Sequence, residues 1–216
     1  MSITQHPSDE TLAAFAAGNL DAGRTVVVGA HTEMCARCQI WVRRLLNAGG
    51  VLLTDVAPAS MAADALNRAL KRIEAEQPHR LRSSDSPFEF GIDRTLPVIS
   101  RFNHQDGWKW MGPGIRWRPL AAPSADAARV FLLKAAAGTN MPNHTHTGTE
   151  LTLVLQGAFA HAGGRYGPGD LDEADDTIEH TPVVEAGEEC ICLVAMDGKL
   201  QLLGAFGRLM QPFVRL

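Results

Sequence analysis

Two groups of residues in this chain have the types and spacings of metal ligands. The first is His31-Thr32-Glu33-Met34-Cys35-Ala36-Arg37-Cys38. Two cysteines three positions apart fit one tetrahedral zinc, and an imidazole one turn before them can join, because zinc takes sulfur and nitrogen donors. A closed structural site needs a fourth ligand, and His6, just ahead of the first helix, is the candidate. The other readings of Cys-x-x-Cys are a redox pair or two core cysteines. Thioredoxin-like chemistry wants a preceding strand in a βαβ unit, and this segment reads as helical instead. A zinc held by two Cys and two His in so small a helical unit contributes directly to its folding.

The second group runs from Gly138 through His144, His146 and Glu150 to Gly157. Histidines at i and i+2 place both imidazoles on one face of a strand. Glu150 follows a short turn on the next strand. His180 is the fourth candidate, brought back by the turn Gly167-Pro168-Gly169-Asp170. Three imidazoles and a carboxylate suit a divalent metal, Zn first, with Mn, Fe, Ni and Cu also compatible. The other His and Cys read as bystanders. Cys190 and Cys192 share one side of a strand and read as core packing. His161 sits near a hairpin tip and reads as exposed, with a place at the barrel mouth as its alternative, and His79 and His104 read as solvated. Asp170, Asp172, Glu173, Asp175 and Asp176 read as a solvated acidic loop, and Trp108, Trp110 and Trp117 as barrel packing. No catalytic residue and no organic cofactor is assigned.

The elements that position these groups fall into two halves. Ser8 caps a first helix beginning Asp9-Glu10, with Leu12, Phe15 and Ala16 on its apolar face. A second helix follows Asp21, despite the strand-favouring Thr25-Val26-Val27-Val28, because nothing nearby offers that run a strand partner. A third spans about Cys35 to Leu53. A fourth, Met61 to Glu76, carries the stripe Ala62, Leu66, Ala69, Leu70 and Ile73. From Trp108 the period switches to two, in short runs such as Ile115 to Arg118, Ala128 to Leu133, Leu151 to Leu155 and Cys190 to Met196. The expected fold class is α+β in two domains. Residues 1–80 form a zinc-binding helical domain, 81–105 a linker, and 106–216 an antiparallel β-barrel or sandwich.

Composition narrows the function. The chain has 216 residues with 20 Lys and Arg against 24 Asp and Glu, a net charge of −4 that argues against a nucleic-acid binder working by bulk charge. Four cysteines are too few for a disulfide-stapled secreted scaffold. No apolar run approaches the ~20 residues of a spanning helix, and the first ten residues lack the basic start and apolar core of a signal peptide. A cytoplasmic location with no membrane partner is the expectation.

The second group resembles the first cupin motif, and the region from Pro168-Gly169 to His180 resembles a second cupin motif with a longer internal loop. The helical half resembles the zinc-binding anti-sigma domain, whose His-x24–25-His-x3-Cys-x2-Cys pattern is matched by His6, His31, Cys35 and Cys38. In that order, the two halves resemble the ChrR-type cupin anti-sigma factors over almost the whole chain. The resemblance implies one-to-one sequestration of an extracytoplasmic-function sigma factor, with no direct nucleic-acid contact. It also implies release under singlet oxygen or organic hydroperoxide, sensed with the cupin domain. His6, His31, Cys35 and Cys38 carry over as structural zinc ligands, and His144, His146, Glu150 and His180 as cupin metal ligands. No motif marks the sigma contacts; the stripe Leu66, Leu70 and Ile73 is the candidate, with packing inside the domain as its alternative. Two competing functions remain: a metal-dependent cupin enzyme of dioxygenase type, since cupins with this ligand set include such enzymes, and a small-molecule sensor. The enzyme reading leaves the zinc-binding half unexplained.

Overall fold

The computed structural model describes residues 2–75, 107–120 and 128–204. The expected linker, 81–105, and with it His104, lies outside them, as does His79. Four helices come first: α1 (Asp9–Ala16), α2 (Ala22–Met34), α3 (Ala36–Thr54) and α4 (Ala65–Ala75). Ser8 caps α1 by accepting from the Thr11 amide at 3.1 Å. Asp21 caps α2, accepting from the amides of Gly23 at 2.9 Å and Arg24 at 3.1 Å. The valine run is helical because Val26, Val27 and Val28 are all buried, and tertiary packing outweighs their strand propensity. Cys35 breaks the helical ladder with extended backbone (φ −110°, ψ 102°), so it ends α2 and opens α3. The last helix begins at Ala65, four residues later than the stripe suggested, behind a turn at residues 63–64.

The strands are β1 (Lys109–Gly112), β2 (Ile115–Pro119), β3 (Arg129–Ala135), β4 (His144–His146), β5 (Glu150–Gln156), β6 (Phe159–His161), β7 (Gly164–Tyr166), β8 (Leu171–Ala174), β9 (Val183–Val184), β10 (Cys190–Met196) and β11 (Leu200–Leu202). Every pairing is antiparallel. A six-stranded sheet runs β1-β2-β3-β10-β5-β8, faced by β7-β6-β9 and by the pair β11-β4.

The central strands are buried on both faces, which is why they read in sequence as unbroken apolar runs. Along β10, Leu193 and Ala195 point to one core, while Cys190, Cys192, Val194 and Met196 point to the other. The inner core fills the barrel with Phe131, Val154, Phe159 and Val184. The outer core joins the sheet to the helices: Leu132, Leu151, Leu153 and Leu171 pack with Leu12, Val26, Val27 and Val28. Each such side chain contributes roughly 1.5–3 kcal/mol by leaving water. The helix and sheet approach closely at one glycine. A methyl carbon placed on Gly23 would fall 2.2 Å from the Ala128 carbonyl oxygen. The Ala128 amide in turn donates to Asp21 at 3.0 Å, so the α2 cap is also a tie to the sheet.

Among the described residues nothing covers the opposite side of the helical half. Leu66, Leu70 and Ile73 on α4 are 67%, 47% and 69% exposed, and none of the residues of α4 is buried. Val51, Leu52 and Leu53 at the end of α3 are exposed as well. Internal packing, the alternative for that stripe, does not occur among the described residues. Trp110, expected to pack in the barrel, stands out from edge strand β1 at 65% exposure. Among the described residues no helix is long and apolar enough to cross a membrane.

Candidate metal centres

The break at Cys35 sets the geometry of the first centre. Ending α2 there leaves His31 on its last turn, and starting α3 places Cys38 in its first turn, so three candidate ligands converge on one helix junction. His6 arrives on the segment before α1. The donor atoms of His6, His31, Cys35 and Cys38 all lie within 4.8 Å of one another. His6 Nδ1 is 3.4 Å from Cys35 Sγ and 3.5 Å from Cys38 Sγ, and His31 Nε2 is 3.3 Å from Cys38 Sγ. Ligands about 2.3 Å (S) and 2.0 Å (N) from a tetrahedral zinc stand about 3.5 Å apart, so the four residues fit such an ion.

Protonation chemistry points the same way. His31 donates from Nδ1 to the Gly169 carbonyl at 2.9 Å, which leaves the Nε2 lone pair facing the sulfurs. Burial pushes the His31 imidazole down to about 4, keeping it neutral as a ligand must be. Burial together with the neighbouring Cys35 pushes the Cys38 thiol up to about 12. Without a cation the Cys38 sulfur therefore holds its proton, and a bound cation would supply the charge that makes it a thiolate.

The second centre lies inside the barrel. His144 and His146 on β4 point the same way, as their i, i+2 spacing requires, and His180 reaches them through a bridge with His144. The nitrogens of these three residues all lie within 4.8 Å of one another. His144 Nε2 is 2.9 Å from His180 Nε2, and His146 Nε2 is 3.0 Å from Glu150 Oε2. Glu150 thus joins through His146, without lying inside the sphere that holds all three imidazoles. Thr152, which carried no signal in the sequence, donates to its other oxygen at 3.0 Å.

His144 donates from Nδ1 to the Pro142 carbonyl at 2.7 Å, so its Nε2 lone pair faces the centre. Both ring nitrogens of His146 are buried, and its Nδ1 has no hydrogen-bond partner. Orphaned donors of this kind fit a site completed by a metal. Burial lowers His144, and it lowers His180 to about 4, helped there by the His144 charge. Burial alone would raise the Glu150 carboxyl. The hydrogen bond from His146 and the charges of the three imidazoles outweigh it and hold Glu150 at about 2.

Three residues in this barrel depart from the sequence expectation. His161 is not an exposed hairpin residue: its side chain is 5% exposed and lies 2.9 Å from Asp172 Oδ2. Its Nδ1 accepts from the Gly163 amide at 2.9 Å, so Nε2 carries the proton and donates to Asp172. Nor are Asp170 and Asp172 solvated: they are buried, and β8 runs through the acidic stretch. Asp172 Oδ2 lies 3.8 Å from His180 Nδ1. Cys190 and Cys192 are buried as expected, their sulfurs 3.6 Å apart. They line a small cavity of about 60 Å³ beside His144 and His180, closed by apolar side chains such as Phe131, Met141 and Phe159.

Residues 100–199 match the ChrR cupin-like domain family. Over 222 aligned positions, covering all of both proteins, the chain is 35% identical to the anti-sigma-E factor ChrR of Cereibacter sphaeroides. The structure also matches the crystal structure of Rhodobacter sphaeroides SigE in complex with the anti-sigma ChrR. There the TM-score is 0.75 with 34% identity, covering 91% of this chain and 100% of the other. The barrel is accordingly of the cupin type.

Proposed function

The chain belongs to the ChrR family of anti-sigma factors, and on that premise we propose that its helical part sequesters an extracytoplasmic-function sigma factor in a one-to-one complex. It is a regulator rather than an enzyme, since its full-length relative is an anti-sigma factor. We further propose that residues 1–80 and 106–216 act as two functional units joined by 81–105, that both work in the cytoplasm, and that the complex needs neither nucleic acid nor membrane.

One observation carries this reading: among the described residues, the apolar surface of α4 and the end of α3 has no partner. Exposed apolar side chains at Leu66, Leu70 and Ile73 form a helix face at i, i+4 and i+7, the pattern by which an amphipathic helix seats in a groove of a partner. A face of this kind is a liability in water and becomes a gain only when covered. The even charge balance of the helical half agrees with an apolar rather than a charge-driven contact.

In this reading His6, His31, Cys35 and Cys38 hold a structural zinc that pins the N-terminal segment to the α2–α3 junction. His144, His146, Glu150 and His180 hold a divalent metal in the barrel. A metal bound there would supply a Lewis-acidic centre beside the small, mostly apolar cavity. The protein's own part is orientation. Pro142 and Asp172 face the distal nitrogens of His144 and His180, Thr152 holds Glu150, and mostly apolar side chains line the cavity beside them. Oxidative stress, as singlet oxygen or an organic hydroperoxide, acts on this barrel site and weakens the hold on sigma. A change of several kcal/mol is enough to move the complex from mostly bound to mostly free.

The test is co-purification of the chain with an extracytoplasmic-function sigma factor, followed by exposure to singlet oxygen. The expected result is a stable complex that the wild type releases and a His144→Ala variant retains. A variant that releases sigma as fast as the wild type would remove the barrel from the sensing step.

A further inference from the structure

Strand β8 and its preceding turn touch both metal centres, one from each side. On the outer side, the Gly169 carbonyl accepts from His31 Nδ1. Asp170 Oδ1 accepts from the amides of Thr4 at 2.7 Å and Gln5 at 2.9 Å, the two residues before His6. The Leu171 amide donates to the Gln5 carbonyl at 3.3 Å. Glu173 accepts from the Ser8 amide at 2.8 Å and from the Thr11 hydroxyl at 2.6 Å, so it holds the chain on the far side of His6. Gly169 adopts φ +89°, which side-chain-bearing residues rarely take, and it lies against Ile3, whose Cδ1 would be 2.6 Å from an added methyl. Both histidine ligands of the helical centre are therefore set by the barrel, whereas its cysteines are set by the helix junction.

On the inner side the strand alternation turns Asp172 into the barrel, between Leu171 and Glu173, which face out. There it is held by His161 and faces the Nδ1 of His180, a buried nitrogen with no hydrogen-bond partner. An imidazole whose Nε2 binds a cation becomes a stronger donor at Nδ1 and draws in a carboxylate partner. Closing the 3.8 Å separation to a hydrogen bond moves Asp172 by somewhat less than 1 Å. Asp172 shares four residues of extended backbone with Leu171 and Glu173, and Asp170 adjoins them. The same shift therefore reaches the contacts that place His6 and His31.

We propose that β8 and its turn couple the two metal centres, with Asp172 as a positioning residue for His180 and Gly169, Asp170 and Glu173 as positioning residues for His31 and His6. This rests on the reading of both clusters as metal sites. By reciprocity, whatever loading the barrel does to the helical centre, loading the helical centre does to the barrel.

Cobalt(II) provides the probe, since thiolate-to-cobalt charge-transfer absorption reports the helical centre alone. The full chain is loaded with cobalt, and release from that centre to a chelator is followed in the wild type and in His144→Ala, Asp172→Ala and Asp170→Ala variants. Emptying the barrel through His144→Ala is expected to speed release at least about fivefold. Asp172→Ala should give the same acceleration, and the His144→Ala/Asp172→Ala double variant no more than either alone. Asp170→Ala should release rapidly whether or not the barrel is loaded. Equal rates in the wild type and His144→Ala, with two metal ions bound per wild-type chain, would overturn the coupling alone, as would additive accelerations in the double variant. A wild-type chain that binds fewer than two would overturn the two-site reading and the coupling with it.

Discussion

Gly23→Ala tests whether the helices and the barrel form one packed unit. In a free-standing helix this change would stabilise, because alanine is favoured over glycine by about 1 kcal/mol. Here the added methyl would lie 2.2 Å from the Ala128 carbonyl oxygen and 3.0 Å from its carbon, and both are backbone atoms that cannot step aside. The start of α2 must move off the sheet by about 1 Å. Overpacking of this kind costs about 1–3 kcal/mol. Parting the Asp21 carboxylate from the Ala128 amide adds about 1.5–3 kcal/mol, as for hydrogen bonds to charged groups. Against the propensity gain, the net loss is about 2–5 kcal/mol. Gly29, in the same helix, is the control: a methyl there would meet only the Phe15 ring at 3.8 Å, an ordinary contact. Gly29→Ala should gain about 0.5–1 kcal/mol. The assay is guanidinium unfolding of the zinc-loaded full chain. Opposite shifts of the midpoint are expected for the two variants. If both variants were stabilised equally, α2 would not be docked on the sheet, and the shared outer core would be wrong.

Three further outcomes follow from the geometry. Replacing Leu66, Leu70 and Ile73 together by Asp should weaken sigma binding by at least about 1,000-fold, taking about 1.5 kcal/mol for each apolar anchor. The melting temperature should hardly change, since none of the three is buried; retained binding would move the docking surface elsewhere. Metal-free protein should lose stability as pH falls from about 6.5 to about 4. His31 and His180 are pushed down to about 4 by burial, so the unfolded chain binds protons in that window that the fold refuses. Each imidazole contributes a loss of up to about 3 kcal/mol, and Glu150, held at about 2, adds a further loss below about 4.5. A denaturation midpoint that stays flat from pH 7 to 4 would contradict the neutral buried imidazoles. Cys38→Ser should abolish zinc retention in the helical centre and lower the unfolding temperature of the helices, while the barrel keeps its metal. Metal analysis with calorimetry reads both, and full zinc retention would exclude Cys38 as a ligand.

Much of the two clusters was legible in the sequence because local spacing produces it: the i, i+2 histidines on a strand, and the cysteines at a helix junction with His31 just before. The helices and long strands were legible for the same reason. What escaped was long-range. Asp170 and Glu173 looked like part of a solvated loop, since their partners Thr4, Gln5, Ser8 and Thr11 lie about 160 positions away in the chain and no local pattern records them. His161 looked exposed because a short β6–β7 hairpin hides that its first strand closes the barrel over Asp172. Strand β8 alternates Leu, Asp, Glu and Ala, a pattern that reads as polar until both faces are seen to be occupied. Trp110 erred in the other direction, because an edge strand gives a tryptophan nothing to pack beneath.

The central claim is that zinc-organised helices hold a sigma factor through an exposed apolar face. The most direct measurement is the affinity of the full chain for its sigma factor, taken with zinc bound and again after the metal is stripped. Tight one-to-one binding is expected with zinc, and a loss of at least about 100-fold without it, as the segment carrying His6 and the α2–α3 junction come apart. Equal affinity in the two states would show that the metal centre does not organise the docking surface, and no binding in either would contradict the anti-sigma function itself.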